Sequence, residues 1–131
     1  MDGLRILVVE DSLLMAEAIG DLLSDAGAAI VGTPQSVAAA LDLLATQSVD
    51  LACLDIDLGK EDSFPVADEL LSRRIPFVFV TGSDAEVVPQ RHRNQTLVRK
   101  LDMVAELVVA CRATSISGGL AARPDHDGVA L

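Results

Sequence analysis

The chain has 131 residues, enough for one domain with a buried core and too few for two. Half of the residues are hydrophobic, which excludes wholesale disorder. No apolar run approaches the roughly 20 residues that cross a bilayer, and no signal peptide precedes the first apolar run, so we expect a cytoplasmic protein. The net charge of −10 argues against nucleic acid or an anionic membrane as a direct partner.

The two cysteines, Cys53 and Cys111, are far apart in the sequence and lie within apolar runs. We expect both to be reduced, buried and chemically inert. No spacing of Cys and His suggests a zinc site.

Apolar runs of strand length alternate with segments of helical period, a pattern typical of an α/β fold with a parallel sheet. The first strand is predicted at residues 4–9. Ser12 can cap the helix that follows, and its apolar stripe includes Leu13, Leu14 and Ile19. A short second strand at 28–31 precedes a helix that Ser36 opens.

A third predicted strand, 49–54, runs into Asp55-Ile56-Asp57-Leu58-Gly59. The third helix begins at Asp62 or Ser63, with Pro65 in its first turn. Residues 75–80 form a nearly all-apolar fourth strand, suited to the middle of a sheet that is covered on both faces.

The segment 82–94 has a poor apolar period, so we expect only a short or irregular fourth helix there. A brief fifth strand follows at 97–98, and Asp102 begins a last helix that carries Val104 and Leu107 on its inner face. From Thr114 onward the composition predicts a flexible tail, which makes residues 1–113 the domain and 114–131 the tail. The pattern as a whole predicts a flavodoxin-like (βα)5 doubly wound parallel sheet with strand order 2-1-3-4-5.

Polar side chains stand at the carboxyl end of four predicted strands, the edge where such sheets bind ligands. These residues are Glu10, Asp11, Asp55, Asp57, Thr81 and Lys100. Taken singly, each would pass for a solvated loop residue, but together they favour a functional site.

Crowded carboxylates repel one another, by about 1 kcal/mol at about 4 Å in water and about 4 kcal/mol at an effective dielectric near 20. A hard divalent cation is the natural remedy, and Mg²⁺ prefers carboxylate and phosphate oxygens. This set indicates phosphoryl transfer, in which a carboxylate can be the nucleophile. Lys100 would then neutralise phosphate charge, and the Thr81 hydroxyl would donate a hydrogen bond to a phosphate oxygen.

These residues resemble the receiver domains of bacterial response regulators, over Leu4 to about Arg112. The resemblance implies that Asp55 is the phosphoacceptor and that Asp11 and Asp55 supply carboxylates to Mg²⁺. It also implies that Glu10 acts largely through metal-bound water, and that the backbone carbonyl of Asp57 is a ligand. Thr81 would be the switch hydroxyl, and Lys100 the cation that pairs with the phosphoryl group.

A narrower resemblance is to single-domain receivers from alphaproteobacteria. It rests on Leu58-Gly59, on Phe64-Pro65-Val66-Ala67 and on the strand-4 sequence Phe77-Val78-Phe79-Val80-Thr81-Gly82. Many of those proteins carry Phe-Ala-Thr-Gly there, and Val80 stands in place of the Ala.

Three features depart from the typical receiver. Leu101 replaces the Pro that usually follows the strand-5 Lys, and Leu97 stands where a Tyr or Phe usually switches. The segment between Thr81 and Lys100 is also shorter. A switch in this chain must therefore use an aliphatic side chain or the backbone.

By this resemblance, the chain receives its phosphoryl group from a histidine kinase or a histidine phosphotransfer protein. It then signals through a partner that contacts the face formed by residues 82–112, or acts as a phosphate shuttle or sink. We expect it to catalyse only its own phosphorylation and dephosphorylation. Asp57 and Ser83 flank the expected water path and would set the lifetime of the acyl phosphate.

Two other classes of protein stay open. One is a Mg²⁺-dependent aspartyl-phosphate phosphatase of the haloacid dehalogenase type, which Asp55-Ile56-Asp57 resembles, although there the motif lies on the first strand. The other is a receiver-shaped interaction module that is never phosphorylated, which Leu97 and Leu101 make conceivable. A flavodoxin is disfavoured because Glu10 and Asp11 would repel the phosphate of FMN, and stacking aromatic residues are missing.

Overall fold

A computed structural model describes residues 1–82 and 88–122. Within these residues there are five strands and four α-helices, and an α-helix follows every strand but the fourth. The strands are β1 (Arg5–Val9), β2 (Ala29–Gly32), β3 (Leu51–Asp55), β4 (Phe77–Thr81) and β5 (Leu97–Arg99). The helices are α1 (Leu13–Asp25), α2 (Val37–Thr46), α3 (Phe64–Ser72) and α4 (Met103–Ala122), with 3₁₀ turns at Gln90–His92 and Lys100–Asp102.

The strands form one parallel sheet in the order β2-β1-β3-β4-β5, which confirms the predicted flavodoxin-like architecture. Successive side chains of each strand point to opposite faces of the sheet. Leu54 and Phe79 join α2 and α3 in one core. Cys53 and Val78 join α1 and α4 in the other. The sheet is therefore covered on both faces, as the nearly all-apolar fourth strand predicts.

The apolar faces of α1 and α4 differ from the predicted ones near the helix starts. In α1, Ile19 is buried as predicted, whereas Leu13 and Leu14 are 61% and 78% exposed. In α4, Leu107 is buried and Val104 is exposed. The first turns of both helices stand at the carboxyl edge of the sheet, where few sheet residues are available to cover them. This leaves apolar side chains beside the predicted site.

The last helix is longer than the sequence predicts. Residues 114–122 continue α4 instead of beginning a tail, and residues 123–131 lie outside the described part of the chain. Once packing holds the first turns of a helix, each further residue adds a hydrogen bond at little cost. A hydrogen bond of 3.2 Å between the hydroxyls of Thr114 and Thr96 also holds the extension.

The segment between β4 and β5 has little regular structure where it is described. Its helical content there is the 3₁₀ turn at Gln90–His92, in agreement with the prediction of a short or irregular fourth helix. Residues 83–87, including Ser83, lie outside the described residues. Among the helices that are described, none combines the length and apolar character required to cross a membrane.

Cys53 on β3 and Cys111 on α4 are both buried, as predicted, and their Sγ atoms are 3.6 Å apart. The hydrogen bond between the two thiols, followed by burial, raises the pKa of Cys53 well above its ordinary value. The nucleophilic thiolate is therefore disfavoured at neutral pH.

Candidate functional site

The register of the sheet brings the ends of four strands together. Val9 pairs with Leu54, so Glu10 follows β1 beside Asp55, the last residue of β3. Asp55 pairs with Val80, and Thr81 pairs with Arg99. The next residue after Arg99 is Lys100, so the predicted site residues of β1, β3, β4 and β5 meet at one edge.

Three carboxylates form a cluster at this edge. Glu10, Asp11 and Asp55 each offer an oxygen, and these oxygens all lie within 4.8 Å of one another. Glu10 is completely buried and Asp55 is 4% exposed, whereas Asp11 is exposed. Two of the charges are therefore shielded from water, and the third faces the solvent from which a cation would enter.

The ammonium group of Lys100 lies between the two buried carboxylates. Its Nζ is 3.0 Å from Glu10 Oε1 and donates a hydrogen bond of 3.1 Å to Asp55 Oδ2. Burial lowers the pKa of Lys100, but attraction to the neighbouring carboxylates of Glu10 and Asp55 outweighs it, so the pKa is raised overall. Lys100 stays charged at neutral pH and supplies one positive charge to three carboxylates.

Burial raises the pKa of Glu10 from 4.5 to about 7, and the neighbouring Asp55 adds to this rise. The backbone N–H of Ser12, which donates to Glu10 Oε2 at 3.1 Å, and the ammonium of Lys100 oppose it. Glu10 Oε1 is buried and has no well-directed hydrogen bond within the described residues. A buried carboxylate oxygen without a well-directed hydrogen bond is suited to bind a cation, or a water molecule that a cation holds.

The loop after β3 holds Asp57 beside the cluster. The backbone N–H of Asp57 donates to Asp55 Oδ1 at 3.3 Å, and its side chain accepts a hydrogen bond of 2.8 Å from the N–H of Gly59. The Asp57 side chain is exposed, and the role of its backbone carbonyl as a ligand stays a prediction. Thr81 is buried at the end of β4, one residue beyond the pair that Asp55 forms with Val80.

The donor set fits a hard divalent cation. All the clustered ligand atoms are carboxylate oxygens, which suit Mg²⁺ and not the softer metals that prefer thiolate or imidazole. Glu10, Asp11 and Asp55 would hold such an ion. Their mutual repulsion, which Lys100 offsets only in part, would be relieved by it.

We expect the affinity for Mg²⁺ to depend on pH, because a proton on Glu10 competes with the cation. Below a pH of about 7 the apparent affinity should fall by up to about tenfold per pH unit, and above it the affinity should level off. Calorimetric titrations between about pH 6 and about pH 8 would measure this dependence. Glu10→Gln should flatten the profile, and a flat wild-type profile would contradict the assignment.

One buried aromatic group is not indicated by the sequence pattern. His92 is completely buried, and its ring contacts those of Phe64, Phe77 and Phe79 at centroid distances of 5.9 to 6.0 Å. Its Nε2 lies 2.8 Å from Asp68 on α3.

Leu97, at the position of the usual switching aromatic, is half-buried and pairs with Phe79. Leu101 is 96% exposed.

Comparison with known proteins identifies the family of the chain. A family model for the response regulator receiver domain matches residues 6–102. The chain belongs to this family. Receiver domains act in two-component signalling, where they interact with histidine kinases or phosphotransfer proteins.

Two curated relatives illustrate the range of proteins that contain similar domains. A protein-glutamate methylesterase/protein-glutamine glutaminase of Halobacterium salinarum is 31% identical over 81 residues, which cover 61% of this chain and 23% of that protein. The sensor protein TorS of Escherichia coli is 29% identical over 96 residues, which cover 73% of this chain and 10% of TorS. The chain therefore spans less than a quarter of the length of these curated relatives.

A solved structure covers the receiver domain more fully. The BeF₃-activated conformation of SdrG from Pseudomonas melonis Fr1, a solution structure, is 40% identical and superposes with a TM-score of 0.69. The match covers 84% of this chain and 98% of that one.

Proposed function

We propose that this receiver domain accepts a phosphoryl group on Asp55 with the help of Mg²⁺. The observation that carries the proposal is the cluster of Glu10, Asp11 and Asp55, whose oxygens lie within 4.8 Å of one another. The hydrogen bond from Lys100 to Asp55 supports it as well. In such transfers, positioning and charge neutralisation provide most of the catalysis.

Each residue has a distinct task in the proposed reaction. An Asp55 oxygen attacks the phosphorus of a phosphohistidine, the bond from phosphorus to the imidazole nitrogen breaks, and that nitrogen takes a proton. Glu10, Asp11 and Asp55 would hold Mg²⁺, which would neutralise charge on the phosphoryl oxygens. Lys100 pairs with the phosphoryl group, and Thr81 donates a hydrogen bond to one of its oxygens.

The rim of the site supports a protein as phosphodonor. Leu13 and Leu14 follow the acidic pair at the start of α1, and Leu101 follows Lys100. All three are strongly exposed beside the carboxylate cluster. Apolar side chains in such a position favour docking of a histidine kinase or histidine phosphotransfer protein over a small, highly charged donor.

After phosphorylation of Asp55, the signal would take one of two routes. The added phosphoryl group carries nearly two negative charges at neutral pH and would draw in Thr81 and the loop after β4. The predicted face at residues 82–112, of which 83–87 lie outside the described residues, would then bind a partner protein. Alternatively, the chain would pass its phosphoryl group to another histidine as a shuttle or sink. In both routes the signal passes to another protein, and both would operate in the cytoplasm.

Intact-mass spectrometry with acetyl phosphate tests the proposal. The wild-type protein should gain one phosphoryl group when Mg²⁺ is present and none when EDTA is added. Asp55→Asn should gain none under either condition. A wild-type protein that binds Mg²⁺ but is never labelled would favour the second candidate, a receiver-shaped interaction module.

The phosphatase alternative makes a different prediction, although its motif lies on the first strand and Asp55-Ile56-Asp57 begins at the end of the third. A haloacid dehalogenase enzyme turns over p-nitrophenyl phosphate, whereas a receiver that acts only on its own aspartate should not. Sustained release of p-nitrophenol that is lost in Asp55→Asn would overturn the receiver proposal in favour of the enzyme.

We expect the exposed carboxylate of Asp57 to control the lifetime of the acyl phosphate. Asp57→Asn keeps the acceptor for the Gly59 N–H but removes a charge beside the proposed water path. The decay rate of phosphorylated protein should change by about threefold or more. Ser83→Ala is the companion variant, and decay rates equal to wild type in both proteins would remove this role.

A further inference from the structure

Gly59, in the loop between β3 and α3, lies beside the carboxylate of Asp11. Its φ of +89° is in the region that side chains rarely adopt. A Cβ atom at this position would lie 3.2 Å from Asp11 Oδ2, tighter than nine in ten Cβ contacts in proteins. Either the carboxylate or the loop would have to move by a few tenths of an ångström.

The loop has little freedom to move away from Asp11. Residues 56–63 form a small hairpin, in which Leu58 N–H donates to Glu61 O at 2.8 Å and Ser63 N–H donates to Ile56 O at 3.0 Å. The carboxylate of Glu61 also accepts a hydrogen bond of 3.0 Å from the first residue of α2. The exposed Asp11 side chain has fewer restraints, so a side chain at position 59 would displace Asp11.

We propose that Gly59 is a positioning residue for the divalent-cation site. Because it has no side chain, the carboxylate of Asp11 can stay with those of Glu10 and Asp55. This inference rests on the proposed function, in which Asp11 is a cation ligand.

The same geometry makes Gly59 a determinant of cation selectivity. Mg²⁺ requires near-ideal octahedral coordination at about 2.0–2.1 Å, whereas Ca²⁺ accepts variable geometry at about 2.3–2.6 Å. A displaced Asp11 carboxylate therefore weakens binding of Mg²⁺ more than binding of Ca²⁺. A general loss of folding would weaken both ions alike, so the ratio of the two affinities reports on positioning.

Gly3 provides a matched control. It also has a positive φ, +74°, but a Cβ atom there would meet nothing within 4 Å. It precedes β1, at the edge of the sheet opposite the site. Gly3→Ala therefore introduces backbone strain of the same kind without touching Asp11.

The test is calorimetric titration of wild type, Gly59→Ala and Gly3→Ala with Mg²⁺ and with Ca²⁺, alongside urea denaturation. Both variants should unfold at a lower urea concentration than wild type. Gly59→Ala should lose about fivefold to tenfold in Mg²⁺ affinity and less than about twofold in Ca²⁺ affinity. Gly3→Ala should bind both ions as wild type does.

If Gly59→Ala fails to fold, Gly59→Asn replaces it, because Asn tolerates positive φ better and carries a Cβ at the same place. Wild-type Mg²⁺ affinity in the Gly59 variant, or equal losses for the two ions, would overturn the inference and leave the proposed function intact. A wild-type protein that takes up no Mg²⁺ would overturn both.

Discussion

The Lys100→Met protein should lose about 2 kcal/mol of unfolding free energy at neutral pH when no divalent ion is present. Its ammonium is the positive charge found between the buried carboxylates of Glu10 and Asp55, at 3.0 and 3.1 Å. Without it, those carboxylates must be protonated or remain unpaired. Mg²⁺ should restore much of the loss, because it supplies the missing charge at the same edge.

The Lys100 substitution should also slow phosphorylation by acetyl phosphate by about 100-fold or more, because a donor aimed at the phosphoryl group is removed. Urea denaturation with and without Mg²⁺, together with intact-mass time courses, would measure both effects. Lys60→Met is the control, since Lys60 is exposed on the neighbouring loop. Equal stability of the two variants without Mg²⁺ would show that Lys100 does not stabilise the carboxylates.

Asp11→Asn should weaken Mg²⁺ binding by about 100-fold, since it removes one of three charged ligands. The unfolding free energy of the metal-free protein should not fall, because the substitution also relieves repulsion within the cluster. Labelling by acetyl phosphate should fall in parallel with the affinity for Mg²⁺. Titration calorimetry and urea denaturation would measure these quantities.

Asp57→Asn is the control for the Asp11 substitution. It makes the same chemical change two residues after Asp55, but the Asp57 side chain accepts a hydrogen bond from Gly59 that Asn can also accept. Its Mg²⁺ affinity should stay within about threefold of wild type if only the backbone carbonyl is a ligand. Equal losses in the Asp11 and Asp57 variants would contradict the assignment of ligands.

The sheet and its polar edge could be predicted from the sequence because both follow from local patterns. The run that became β4 is nearly all apolar, which indicates a strand covered on both faces, and the runs that became β1 and β3 are largely apolar. The right-handed crossovers then allow few strand orders, and the residues that follow each strand meet at the carboxyl edge of the sheet. This topology places Asp55 and Lys100, 45 residues apart, at the same edge of the sheet, where Lys100 Nζ lies 3.1 Å from Asp55 Oδ2.

Features that depend on side-chain packing could not be predicted in this way. His92 lies in a segment with poor apolar period, and only the fold reveals that three phenylalanine rings surround it. The contact between Cys53 and Cys111 depends on how α4 packs against β3 across 58 residues of chain. The contact between Gly59 and Asp11 depends on the conformation of one loop, and the Leu58-Gly59 sequence was its only signal.

Chemical mapping of the phosphorylated residue would establish whether Asp55 is the phosphoacceptor. Borohydride reduction of protein labelled with acetyl phosphate and Mg²⁺ converts the acyl phosphate into a stable mark that peptide mass spectrometry can locate. We expect one mark, at Asp55, and none when EDTA is present during labelling. A mark at Asp11 or Asp57, or no mark in protein saturated with Mg²⁺, would contradict it.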